Sequence, residues 1–218
     1  GKILNQADSL GMVVILGMFY FGQDEELADE QAIVSAVDHV IEWLFTTRHR
    51  NILIEINNEC DVKSYDHEIL KPVRVHELIE RVKNKQQNGY RFLVGTSFKG
   101  KSIPTSNVVK ASDFILLHGN GASDPAMITE MVKKTKQVEG FHAIPVLFNE
   151  DDHFDFEKPE NNFVAALRSY ASWGFFDYRF KGETDFHEGY QSVPVDWRIN
   201  SDRKRGFFEL LRKITHGN

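Results

Sequence analysis

The strongest constraint on this chain is a rhythm: short apolar runs alternate with amphipathic stretches, strand then helix, six times over after one leading helix. Residues 2 to 10 read as that helix, closed by Gly11. The apolar runs are "MVVILGMFYF" (12–21), "NILIEI" (51–56), "RFLVGT" (91–96), "FILLH" (114–118), "AIPVLF" (143–148) and "FFDY" (175–178). Helices are expected over 29–46, 73–86, 105–111, 125–137, from Asn161 or Asn162 to Trp173 and Gly174, and from Ser201 to 215. In the first of these, Ile33, Val37, Val40, Ile41 and Leu44 recur at helical spacing on one face. Asp124 and Pro125 form an N-cap and first-turn pair.

Strands that are apolar throughout, each followed by a helix, require a parallel sheet covered on both faces. Two architectures satisfy this: an open doubly wound sheet and a (β/α)₈ barrel. The first normally carries a glycine-rich phosphate turn after its first strand. Here that position reads "GMFYFGQDE". The expected fold is therefore α/β, a (β/α)₈ TIM barrel or barrel fragment in which six βα units are visible. It would form a single domain over residues 1–218, or the C-terminal portion of a longer barrel.

Composition narrows the functional classes. Hydrophobic residues make up 41% of the chain, enough for an ordinary core. The net charge of −6 argues against nucleic acid or an anionic membrane as the main partner. No apolar run reaches the ~18 residues of a transmembrane helix, and no signal peptide is visible. The chain starts at Gly1 without Met, which leaves room for a removed leader or larger N-terminal piece, so no compartment is assigned. Cys60 is the single cysteine, excluding an internal disulfide. It is expected to be a buried thiol and not a nucleophile, because it follows a strand and does not head a helix.

The strand ends are informative, because barrel enzymes place their sites at the C-terminal ends of strands. The first strand ends at Tyr20, the second in Asn57, Asn58 and Glu59, the third in Thr96 and Ser97. The fourth ends in His118, Gly119 and Asn120, the fifth in Asn149 and Glu150, and the last holds Asp177 and Tyr178. Amides and hydroxyls are ordinary turn residues, but Glu is a poor turn former. Glu59 and Glu150 each follow an Asn at the end of a buried run, in "INNE" and "LFNE". Two carboxylates on facing strand ends suit glycosidic bond hydrolysis: one donates a proton to the leaving oxygen and the other attacks the anomeric carbon.

These residues resemble the clan of retaining glycoside hydrolases on (β/α)₈ barrels that includes cellulases and β-mannanases. The resemblance implies that Asn58-Glu59 corresponds to the Asn-Glu pair ending the fourth strand, with Glu59 the acid/base. Glu150 then corresponds to the nucleophile ending the seventh, three strands later. The resemblance further implies that the barrel's first two strands are the ones lacking. His118, on the sixth, matches a frequent substrate-contacting His. A β-linked oligo- or polysaccharide substrate and no cofactor are implied. Two departures stand out: Cys60 replaces the clan's Pro after the acid/base, and the Arg of the clan's second strand has no counterpart.

Substrate-binding candidates are Asn58, His118, Asn120, Tyr20, Tyr178 and Trp197, the aromatics by stacking on sugar rings. Phe19, Phe98 and Trp173 are expected to be packing residues, Trp173 at the end of its helix. Two rival functions remain. One is a barrel that binds saccharide without cleaving it. The other is a divalent-metal hydrolase using "EDDHFD" (150–155), whose acids and His153 offer hard ligands. The competing expectation for this loop is that Asp151 to Asp155 hold neighbouring loops and position Glu150.

Overall fold

The computed structural model describes residues 1–177, 199 and 201–216. The leading helix α1 (Lys2–Ser9) is followed by β1 (Val14–Phe19), α2 (Glu30–Thr47), β2 (Ile52–Asn57) and α3 (Val75–Asn84). Then come β3 (Leu93–Gly95), α4 (Ser106–Ala111), β4 (Ile115–His118), α5 (Pro125–Gln137), β5 (Val146–Glu150), α6 (Asn162–Arg168), β6 (Ser172–Trp173) and α7 (Asp202–His216).

Local chemistry accounts for the boundaries. Gly11 at φ +68° ends α1, with its N–H on Asp8 O and Met12 N–H on Ala7 O, the paired bonds of a glycine C-cap. Asp29, Asp124 and Asn161 cap α2, α5 and α6 through side-chain oxygens on Ala32, Ala126 and Val164 N–H.

The described strands form two parallel groups, β1-β2-β3 and β4-β5-β6, and within each group every strand lies beside its predecessor. A doubly wound sheet reverses strand order partway, and the described strands show no reversal within either group. The groups meet where Asp113 N–H donates to Val94 O and Lys101 N–H to His118 O. Gly95 permits this approach: a Cβ there would stand 2.7 Å from Phe114 O. Ile52, Ile54 and Ile56 of β2 pack with Ile33, Val37 and Ile41 of α2 and Leu78 and Ile79 of α3. A second core joins Ile115, Leu117, Val146, Phe148 and Trp173 to Ile128 and Val132 of α5 and Phe163 of α6. Helices thus cover one face of each group, and the strands' other side chains face away from them.

Two expected elements differ. The fifth strand begins at Val146 instead of 143, because Pro145 has no N–H to give to a ladder. It runs on to include Glu150, which pairs with His118 across a bulge. Among the described residues the last strand is Ser172–Trp173, and 175–177 of the expected 175–178 run are not strand, while Tyr178 lies outside the described residues. Helix α6 stops at Arg168, and Tyr170 at φ +58° turns the chain early. Trp173 therefore lies on a strand opposite Phe148, although it is core as expected at 7% exposure.

Candidate active site

Glu59 sits just past β2 in a constrained turn. Its φ of +50° is left-handed, uncommon for a residue with a Cβ and a sign of local strain held by surroundings. The surroundings are visible. Glu59 N–H donates to Ser97 Oγ (2.9 Å) and Cys60 N–H to Ser97 O (2.9 Å). Tyr65 OH donates to Asn58 O (2.6 Å), and Asn58 N–H to Phe19 O (3.0 Å). Asn57 is fully buried; its amide donates to Leu70 O and its oxygen accepts from Thr96 Oγ1. Asn57 is therefore an internal fastening for the turn. Cys60 has 0% exposure, and burial pushes its thiol pKa up.

Glu150 arrives from β5. Asn120 Nδ2 donates to its Oε1 (2.5 Å). His118, fully buried, stands between the two carboxylates: its Nδ1 is 2.9 Å from Glu59 Oε1 and 3.8 Å from Glu150 Oε2. One ligand atom from each of Glu59, His118 and Glu150 lies within 4.8 Å of the others. These residues are 59 and 32 positions apart or more in sequence, and only the strand order brings them together.

Below Glu150, Asp151 is fully buried and accepts from Asn162 Nδ2 (2.9 Å), Trp173 Nε1 (2.8 Å) and His153 N–H (3.1 Å). Its carboxylate also lies where a Cβ at position 119 would be, so only glycine fits there. The other acids of the 150–155 loop turn to separate partners: Asp152 accepts from Gly121 N–H and Asp155 pairs with Lys158. They do not converge on a common point. Among the described residues, the group that could hold a metal is instead Glu59, His118 and Glu150.

The electrostatics follow from burial and charge. Burial is the strongest influence on His118 and disfavours its cation. The hydrogen bond to Glu59 and the charges of Glu150, Glu55 and Glu59 outweigh it, and the pKa is raised. Burial also raises the pKa of Glu150, against the pull of His118 and Asn120, with Glu59 and Asp152 adding to the rise. His118 Nε2 is buried without a hydrogen-bond partner among the described residues.

Tyr20 is 49% exposed at the tip of β1, its ring 4.3 Å from that of Phe21. Asn58 is half-buried beside Glu59. Phe98 is buried, as expected of a packing residue. Tyr178 and Trp197 lie outside the described residues. Two residues gain importance that strand ends alone did not give them. Ser97 holds the Glu59 turn. Glu55 is a carboxylate 6% exposed within β2. The signal for Glu55 was present in "ILIEIN": a charged residue inside an apolar run, two positions before a polar Asn and so on the same strand face.

No family model matches this sequence, and no curated protein matches it. Among solved structures the chain is similar to an active-site mutant of Rhizomucor miehei beta-1,3-glucanosyltransferase in complex with laminaritriose. The TM-score is 0.55 and the identity 14%, over 79% of this chain and 68% of that one. A GH39 beta-xylosidase from Caulobacter crescentus gives a TM-score of 0.49 at 15% identity, over 83% of this chain and 46% of that one. With the sequential parallel order within each group, the first likeness defines the fold: this is a (β/α)₈-barrel chain, with six strands among the described residues.

Proposed function

We propose that this chain carries the catalytic pair of a retaining β-glycosidase, with Glu59 as acid/base and Glu150 as nucleophile. The observation that carries the reading is the approach of the two carboxylates, with oxygens within 4.8 Å, at the C-terminal ends of β2 and β5. Retaining enzymes hold their carboxyls ~5–5.5 Å apart, and inverting enzymes leave ~6.5–9.5 Å for a water. The spacing here favours direct attack on the sugar.

In the first step the Glu150 carboxylate attacks the anomeric carbon while Glu59 gives its proton to the departing oxygen, leaving a glycosyl ester on Glu150. Having given up its proton, Glu59 then takes one from the incoming water, which opens the ester on Glu150. Asn120 steadies Glu150 through its amide. His118, between the carboxylates, offsets their mutual repulsion when protonated. Asn58, Asn120 and Tyr20 border the same strand ends and are the proposed sugar contacts, with Tyr178 and Trp197 further candidates. The substrate class is a β-linked glycan. The glucanosyltransferase likeness adds a sugar acceptor as an alternative to water in the second step, through the same ester.

The test is product stereochemistry. Incubation with a panel of β-1,3- and β-1,4-linked oligosaccharides, followed by NMR, should show the β-anomer first. Initial release of the α-anomer would replace the retaining assignment with an inverting one.

One observation favours a second reading, a divalent ion on Glu59, His118 and Glu150. Against it, a ligating His normally donates its other ring N–H to an acceptor, and His118 Nε2 has none among the described residues.

A further inference from the structure

Beneath the paired carboxylates lies a third. Along β2, Ile52, Ile54 and Ile56 pack toward the helices, so Glu55 and Asn57 point to the opposite face. In register with Glu55 are Gly17 on β1 and Gly95 on β3. Neither neighbour contributes a side chain at this level, and a Cβ on Gly17 would stand 3.6 Å from Glu55 Oε2. The strands leave room for one carboxyl group here and bury it to 6% exposure. Its Oε1 has no hydrogen-bond partner among the described residues. Ser97, whose hydroxyl receives the N–H of Glu59, is close enough to favour the charged form of Glu55.

We infer that Glu55 is a proton-holding positioning residue, a neutral carboxylic acid that supports the Glu59 turn through Ser97 and disables the site when it loses its proton. The inference rests on the glycosidase reading for its functional half only.

The charge count supports it. Glu55 is faced by His118 from β4, Glu150 from β5 and Glu59 after β2, with Cys60 and Tyr65 nearby in the same loop. Strands β1, β3 and β6 contribute no titratable residue. Three ionised carboxylates around one imidazole would leave uncompensated negative charge out of water, which is costly. Glu59 holds the proton that the first step requires, and Glu55, the member least able to reach water, keeps a proton of its own beside the ionised Glu150. Side-chain exposure is 15% for Glu59 and 20% for Glu150, against 6% for the whole Glu55 residue. Burial, with the charges of Glu150 and Glu59 added, raises the pKa of Glu55 over the opposing effects of Ser97 and His118. A neutral Glu55 can share a hydrogen bond with Ser97 without adding a further charge below the reacting groups.

Glu55→Gln keeps the shape and the neutral state and removes the titration. Two readouts test the inference. Infrared difference spectra between the parent and Glu55→Gln at neutral pH should show a protonated carboxyl band in the parent alone, and that band should vanish on alkaline titration. In pH profiles of kcat/KM on a β-glycoside, the alkaline limb of Glu55→Gln should lie higher than the parent's and fall about tenfold per pH unit, as for one ionisation. If Glu55→Gln does not fold, Ser97→Ala cuts the link from its other end. The carboxyl band should then persist while kcat falls with little change in KM. Absence of the band, or displacement of the acid limb instead of the alkaline one, overturns the inference. A band that behaves as expected in a parent with no activity on any β-glycoside overturns the glycosidase reading and upholds a neutral Glu55.

Discussion

His118 Nδ1 lies 2.9 Å from Glu59 Oε1, inside a site where its own ring has no exposed surface. A buried imidazole against one carboxylate and near a second is the simplest way to hold two like charges close together. The same contact makes the site sensitive to protonation.

The pKa of His118 is raised in the folded chain, so the native state binds this proton more tightly than the unfolded one. The resulting stability is fully present below the unfolded value of about 6.5 and is lost as pH rises through the folded value. His118→Asn retains a donor but no titratable ring. The stability difference between parent and variant, measured by urea unfolding, should be largest at acidic pH and shrink as pH rises. A difference independent of pH would mean that the ring is neutral throughout.

Gly119 is fixed by Asp151. A methyl group at 119 would collide with a carboxylate already held by Asn162 and Trp173, which cannot withdraw without losing those bonds. Gly119→Ala should cost about 1–3 kcal/mol by overpacking. It should also lower kcat, since Gly119 follows His118 and its N–H donates to Glu150 O. Thermal denaturation and initial rates on one preparation check both effects.

Asp113 secures the junction between β3 and β4. It accepts from Arg91 and from Val94 N–H, with Lys83 at 3.6 Å. Burial opposes its charge, but these partners prevail and its pKa is lowered. A lowered carboxylate gives stability that is present above its unfolded pKa of about 3.9 and lost as pH falls through the folded value. Asp113→Asn should lose about 1–3 kcal/mol at neutral pH, and the loss should disappear in acid. Equal losses at both pH values would refute this account.

The fold was legible because strand–helix alternation and apolar periodicity arise from local chemistry. Glu59 and Glu150 stood out because Glu is unusual at a strand end. What was hidden depends on contacts between distant segments. The left-handed turn at Glu59 is held by Ser97, 38 residues away. The strand at Ser172–Trp173 carries no β-branched signature, and its place is set by pairing with Phe148. Glu55 was masked by the isoleucines around it, whose apolar run reads as core although its alternate face belongs to the site.

Chelation separates the glycosidase reading from the metal reading. With Asp151, Asp152 and Asp155 bound to separate partners, and His118 Nε2 without an acceptor among the described residues, removal of divalent ions should change neither the melting temperature nor turnover. A stoichiometric ion in elemental analysis, with turnover lost on its removal and regained on its return, would establish the metal mechanism.

The two glutamates are distinguished by what each substrate needs. On the glycosidase reading Glu150→Ala removes the group proposed to form the ester, so hydrolysis of every substrate should stop. Burial raises the pKa of Glu150, yet it must be ionised to attack, so the parent's activity should fall in acid from a higher pH than an ordinary carboxylate would give. Glu59→Ala should slow natural glycans by about 10²–10⁴-fold, because their leaving oxygen needs a proton. An aryl glycoside with an acidic phenol needs little protonation, so its first step should survive in Glu59→Ala. Its second step should be slow, because water has lost its base, and a burst of phenol followed by slow turnover is the expected trace. Azide needs no base and should restore turnover in Glu59→Ala, giving a β-glycosyl azide. Azide rescue of Glu150→Ala with an α-glycosyl azide from a β-substrate would uphold Glu150 as nucleophile, because direct displacement at a vacated nucleophile site inverts the anomeric carbon; a β-glycosyl azide from Glu150→Ala with an α-glycosyl azide from Glu59→Ala would reverse the roles. Rescue of neither variant, with both folded and the parent active, would remove the pair from the reaction.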